Sequence, residues 1–239
     1  MERLSTEKYQ DLLKSAIQHF WDTRESQFRS IRKTDQGNRS FVTGGKQMNG
    51  FVDLLKKIAM DFGIPESFIY TNRNNLPGFF RPTKDWDFMI ISPKRNIVSV
   101  IELKSQVGSF GNNFNNRIEE ALGSAVDLWT AFKENGYQQT QPPWLGYIIL
   151  VEKTMGSTNF VKLQQSLFEV RNEFIKTSYL ERYAIFCQKL IQERHYSAAS
   201  LIWTNKEMEF GSIDHEISIE SFLLSFMGYI HGKINEFEL

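Results

Sequence analysis

Tyr9, Leu12, Leu13, Ala16, Ile17, Phe20 and Trp21 recur at the spacing of one helix face, with Ser5 or Thr6 placed to cap it. The spacing predicts an amphipathic helix. From Arg24 to Gly50 the period fades, which predicts a loop or short helical turns with Gly44-Gly45 as a flexible point. Phe51, Leu54, Leu55, Ile58, Ala59 and Phe62 restore the helical period until Gly63 and Pro65 end it. The Asn-rich stretch from Thr71 to Pro77 reads as a loop.

The period then changes. Trp86 to Ile91 and Ile97 to Leu103 are short, β-branched and apolar, and Ser92-Pro93-Lys94-Arg95-Asn96 separates them as a turn, so a hairpin is expected. Gln106 to Asn113 reads as a loop. Ile118, Ala121, Leu122, Ala125, Leu128, Trp129 and Phe132 predict a second strong helix, closed by Asn135-Gly136. Leu145 to Val151 is a continuous apolar run of the kind that makes a buried strand. Helices are expected near 161–175, 179–194 and 218–235, with a strand near Ser200 to Thr204. No repeat or linker interrupts the chain. The pattern predicts one α/β domain: a mixed central β-sheet, partly antiparallel and partly parallel, flanked by helices.

Composition narrows the class. The chain has 239 residues with 41% hydrophobic and 23% charged side chains, enough for a sizeable core and against a disordered chain. No run approaches the roughly 18 apolar residues of a membrane span, and the first residues lack the apolar stretch of a secretory signal. The single cysteine, Cys187, fits a reducing cytoplasm. The four histidines lack metal-ligand spacing, and no phosphate-binding loop is present, so neither a histidine metal site nor a nucleotide cofactor is expected. Net charge is zero, yet residues 1–60 carry 11 basic and 7 acidic side chains while residues 161–239 carry 8 and 11. A polyanion is drawn to the first region and repelled by the second.

One constellation carries chemistry. Asp85-Trp86-Asp87 opens the first hairpin strand and Glu102-Leu103-Lys104 closes the second. If the turn centres between Lys94 and Arg95, paired residue numbers sum to 189. Asp87 then lies opposite Glu102, their Cβ atoms roughly 5 Å apart, and Asp85 faces Lys104. Met89, Ile91, Val98 and Val100 would share the charged face, with Ile97, Ser99, Ile101 and Leu103 on the other. Two carboxylates that close repel unless a divalent cation sits between them, and Mg²⁺, a hard oxygen-seeking ion, is the natural occupant. Lys104 beside them would orient or deprotonate an attacking water and offset transition-state charge. The competing explanation is an exposed, charged hairpin edge. A hairpin apolar on both faces belongs in a sheet centre instead, where unexplained charge is costly.

Asp87, fourteen residues, then Glu102-Leu103-Lys104 resembles the PD-(D/E)xK nuclease signature, although the literal Pro-Asp pair is missing. More specifically, Glu102-Leu103-Lys104-Ser105-Gln106-Val107-Gly108 is followed by Gly111 to Ala121 and Gly123 to Ala131. This combination resembles the XhoI-like type II restriction endonucleases. The resemblance implies a restriction-endonuclease-like core with extra N- and C-terminal helices. It implies Mg²⁺-dependent double-strand cleavage of DNA by a homodimer at a palindrome such as CTCGAG, and a cognate DNA methyltransferase in the same prokaryotic system. By that resemblance Asp87 and Glu102 are the metal-binding acids, with Asp85 as rival for the first. Lys104 is the motif lysine, and the carbonyl of Leu103 is a further metal ligand. A helix acid, Asp53, Glu119 or Glu120, would assist.

Other residues suit DNA. Asn112, Asn113, Asn115, Asn116 and Arg117 follow the catalytic strand, and Asn and Arg serve both base and phosphate contacts. Arg29, Arg32, Lys33, Arg39 and Lys46 would clamp phosphates, and the loop from Asn72 to Asn75 is a further candidate. Within a single unit, 1–63 is expected to form a helical part with a basic DNA-facing segment, 78–152 the catalytic core, and 160–239 a helical and strand C-terminal part. Two alternatives stay open: a DNA-binding protein with a degenerate nuclease core, and a structure-selective nuclease.

Overall fold

The computed structural model of this chain describes residues 4–31, 46–164 and 166–237. In order, these form α1 (Gln10–Ile31), α2 (Asn49–Asp61), β1 (Ile69–Leu76), β2 (Lys84–Ile91), β3 (Ile97–Gln106), α3 (Phe110–Lys133), β4 (Trp144–Glu152), the short α4 (Met155–Thr158), α5 (Tyr179–Gln192), β5 (Ala198–Thr204), β6 (Phe210–Gly211) and α6 (Ile219–His231). The described strands make one six-stranded sheet in the order β1-β2-β3-β4-β5-β6. β1, β2 and β3 form an antiparallel meander, β3, β4 and β5 run parallel, and β6 closes antiparallel on β5. This is the mixed α/β sheet that the hydrophobic pattern predicts.

The sheet has two apolar faces because each is covered by helices. One face packs on α1, α2 and α6 through Phe20, Phe51, Leu55, Phe222 and Phe226. The other packs on α3 and α5 through Ala125, Leu128, Tyr183 and Leu190. All nine residues of β4 are buried, as a parallel strand covered on both sides requires. β3 lies between β2 and β4, so the expected two-faced hairpin sits inside the sheet.

Several expectations are corrected. α1 does not stop near Trp21 but continues to Ile31. Arg, Glu, Gln and Ser are acceptable helix residues on a solvated face, so loss of the apolar period did not end the helix. The Asn-rich segment is not a loop. It is the edge strand β1, with a register shift between Thr71 and Asn74. Asn is a poor strand former, and pairing with β2 overrides that preference. α3 begins at Phe110 and β3 runs to Gln106, so the expected 106–113 loop shrinks to three residues.

Among the described residues the helix expected near 161–175 does not form. Residues 161–164 and 166–171 have no regular structure, and a single 3-10 turn spans Asn172–Phe174. Leu167 and Phe168 are exposed. A helical period without a surface to pack on does not hold a helix in water.

Candidate active site

The hairpin pairs Phe88 with Ile101, Met89 with Val100 and Ile90 with Ser99, each pair summing to 189 as expected. A register shift follows, with Ile91 opposite Ile97. This shift moves Val98 to the α1/α2/α6 side and Ile97 to the α3/α5 side, the reverse of the simple alternation. A bulge resets the parity of side chains beyond it.

At the other end the β2–β3 ladder stops at Phe88 and Ile101. There the side chain of Asp87 takes over: its Oδ2 accepts the Leu103 N–H at 2.7 Å. Glu102 is buried, 3% exposed. Lys84 Nζ donates to its Oε2 at 2.8 Å, and Lys104 Nζ pairs with its Oε1. Lys84 also lies over the Trp86 ring, 4.2 Å from the centroid. The expected pairing of Asp85 with Lys104 is not what forms. Asp85 is exposed and stands opposite Asn75 of β1, while Lys84, which the sequence reading passed over, reaches the acid. Its signal was present: a lysine three residues before Asp87.

The charges at the site conflict. Burial, reinforced by the negative charge of Glu102, pushes the Asp87 carboxyl up to about 6, although the Leu103 N–H, Lys104 and Lys84 pull the other way. Burial also penalises the Glu102 carboxylate, but Lys104 and Lys84 outweigh it and hold that carboxyl below its usual range. Lys104 is desolvated too, yet Glu102 and Asp87 raise its pKa and keep it a cation. Asp87 therefore has a carboxylate neighbour and, among the described residues, no ion pair of its own. Carboxylate oxygens and a backbone carbonyl at Leu103 suit a hard divalent cation. Among the described residues no third acid, histidine or cysteine joins the pair. Asp53 and Glu119 are exposed, and Glu120 pairs with Arg117 at 2.6 Å.

Asp87, Leu103 and Lys104 open onto a cleft of about 500 Å³. Arg24, Gln47, Met48, Ser105, Asn113 and Arg117 also line it. Gln47 bridges its walls: it accepts from Arg24 Nη1 at 3.2 Å and donates to Ser105 Oγ at 2.5 Å.

The family model described as "Restriction endonuclease XhoI" matches residues 27–213, a span that contains β2, β3 and every residue of the acidic pair. The chain belongs to the XhoI restriction endonuclease family. It is 42% identical over 206 residues to the type II restriction enzyme BstVI of Geobacillus stearothermophilus, covering 82% of this chain and 92% of that one. It is also 42% identical over 193 residues to the type II restriction enzyme XhoI of Xanthomonas vasicola, covering 79% and 77%. No solved structure matches.

In this XhoI-family chain the residues expected to touch DNA divide. Asn113 and Arg117 line the cleft, on the first two turns of α3. Asn112 and Asn116 are exposed on the same turns, and Lys46 is exposed beside Gln47. Arg39 lies outside the described residues, as do Arg32 and Lys33. Gln47 and Ser105 are additions that only the three-dimensional arrangement reveals, since they come from a 3-10 turn and the end of β3.

Proposed function

We propose that this chain is a Mg²⁺-dependent type II restriction endonuclease that hydrolyses both strands of duplex DNA. It acts as a homodimer at a palindromic site, for which CTCGAG is the first candidate. Family membership supports the class of reaction. The observation that carries the reading to particular residues is the nearness of Asp87, which opens onto a cleft, to the buried Glu102, with Lys104 held as a cation beside them. Asp87, Glu102 and the Leu103 carbonyl would hold the metal ion. Bound there, Mg²⁺ would supply positive charge to the phosphate oxygens.

Lys104 orients the attacking water and offsets charge that develops on the phosphate as the new P–O bond forms and the ester P–O bond breaks in line. Its raised pKa supports this cationic role over that of a base. Lys84, together with Lys104, holds Glu102 ionised. Arg117, Asn113, Asn112, Asn116, Lys46 and Arg39 are the proposed DNA contacts, with phosphates at the N-terminal turns of α3. Residues 1–239 act as one nuclease unit, in which 78–152 carry the catalytic core, 1–63 the basic DNA-facing part and 160–239 the remainder. A palindromic target requires two-fold protein symmetry, and a cognate methyltransferase would protect the prokaryotic cytoplasm in which the enzyme works.

The test is incubation with mixed-sequence plasmid and Mg²⁺, followed by sequencing of fragment ends. Fragments ending at one palindrome are the expected result. A smear would favour a structure-selective nuclease, and tight binding without cutting would favour a degenerate nuclease core.

A further inference from the structure

Between β1 and β2 the chain makes a turn, Gly78-Phe79-Phe80-Arg81, held by one residue of α3. The Asp127 carboxylate is almost fully buried, with its side chain 4% exposed. Its Oδ1 accepts the backbone N–H groups of Phe79 and Phe80, each at 2.8 Å, and its Oδ2 accepts Arg81 Nε at 2.7 Å. Arg81 also reaches the Gly123 carbonyl with Nη2. A Cβ at position 78 would run into the same carboxylate, so only glycine fits there. The Pro77 carbonyl accepts from Tyr137 at 2.8 Å. The turn is therefore fixed at both ends.

What this scaffold presents is unusual. Phe79 and Phe80 are 51% and 68% exposed, with ring centroids 4.9 Å apart in an edge-to-face pair. Single exposed apolar residues need no explanation, but two adjacent rings held in water by a buried carboxylate do. Their place gives one. Phe80 is four residues before Lys84, which touches Glu102, and four residues of chain span at most about 14 Å. That is about four base-pair steps of DNA. The anchoring helix is also the one whose Asn113 and Arg117 line the catalytic cleft.

We propose that the Gly78–Arg81 turn is a DNA wedge: Phe79 and Phe80 press against the bases of the duplex beside the bond that is cut, and Asp127 is the positioning residue that aims them. This rests on the nuclease reading above. Aromatic and other apolar wedges that enter a base step supply stacking, and a fixed turn loses little entropy on binding. Arg81 and Lys84 are already paired with Asp127 and Glu102, so it is the place of the turn beside the proposed cutting site that makes DNA the occupant. A second copy of the chain fits less well. Two rings cover far less than the roughly 800 Å² per partner of a stable interface.

The test uses Glu102→Gln protein in chelator, so that the duplex stays intact, and a duplex carrying the plasmid cut site with 2-aminopurine at each position up to four base pairs from it. Binding should raise fluorescence at one or two positions as a base unstacks. Adding Phe79→Ala and Phe80→Ala should remove that rise and weaken binding about ten- to a hundredfold, with mass by light scattering and thermal midpoint unchanged. Unchanged fluorescence and affinity in the alanine variant would overturn the wedge alone. A drop from dimer to monomer would also overturn it, placing the rings at a subunit contact. Failure of the unaltered enzyme to cut any plasmid would overturn the nuclease reading and the wedge together.

Discussion

Asp127 and Asp87 are both carboxylates withdrawn from water, and they sit in opposite kinds of surroundings. Asp127 accepts two backbone N–H groups and an arginine, and those bonds hold its carboxyl below the usual range despite burial. Asp87 accepts one N–H and faces another acid, and its carboxyl is pushed up to about 6. The first is satisfied and builds a turn. The second is left in conflict, and such conflict marks a site arranged for a visitor. The same residue type thus separates architecture from chemistry by its partners alone.

The sharpest way to break that contrast is Glu102→Gln. It should reduce cleavage by about a thousandfold or more, because the proposed site loses one of its two metal-binding charges, with duplex binding largely retained. Cleavage at the unaltered rate, measured on plasmid, would remove Glu102 from the site. Lys84→Met should have an intermediate effect, about tenfold in rate, since it leaves Lys104 in place but takes one of two cations from Glu102. A loss as large as that of Lys104→Met would make Lys84 an equal partner.

On the architectural side, Asp127→Ala should destabilise the fold by about 2 kcal/mol, because it strands the N–H groups of Phe79 and Phe80. In a chain of this size that is a fall of about 4–8 °C in melting temperature. Asp87→Asn should do the reverse in chelator, raising the midpoint by about 2–4 °C as repulsion from Glu102 is relieved.

The smallest effects concern pH, and their signs differ. Folding makes Asp87 hold its proton more tightly, so its contribution to metal-free stability is full below the unfolded value of 3.8 and is lost as pH rises through about 6. Asp127 releases its proton more readily when folded. Its contribution is therefore present above about pH 4 and is lost as pH falls through its depressed value. Melting temperatures of the Asp87→Asn and Asp127→Asn proteins in chelator, compared with the unaltered chain from pH 3 to 7, should approach it at low pH and part from it in opposite directions as pH rises: Asp127→Asn falls below it as Asp127 ionises, and Asp87→Asn rises above it toward pH 6.

Much of the fold was legible because period is a strong signal where a face is buried. α2, α3, β3 and β4 each follow from apolar spacing, and the pairing of Phe88 with Ile101 follows from turn length. What could not be read is set by distant partners. β1 is a strand because β2 is beside it, not because Asn favours extended backbone. The segment before α5 has helical spacing but no surface to receive it. Ile97 and Val98 exchange faces because of one irregular residue. The acids were visible as an Asp and a Glu-x-Lys at hairpin spacing, whereas Gln47 enters the cleft only through the docking of the turn before α2.

The end of the β2–β3 ladder at Phe88 and Ile101 has a further consequence. Where the two strands part, the Leu103 amide is sheltered by the Asp87 side chain instead of a neighbouring backbone carbonyl. Its hydrogen therefore reports on Asp87. Any ion that draws the Asp87 carboxylate toward itself changes how fast that one amide exchanges with deuterated water, in protein that has seen no DNA and broken no bond. A single backbone position becomes a gauge of ion loading at the proposed metal site, readable before the first turnover.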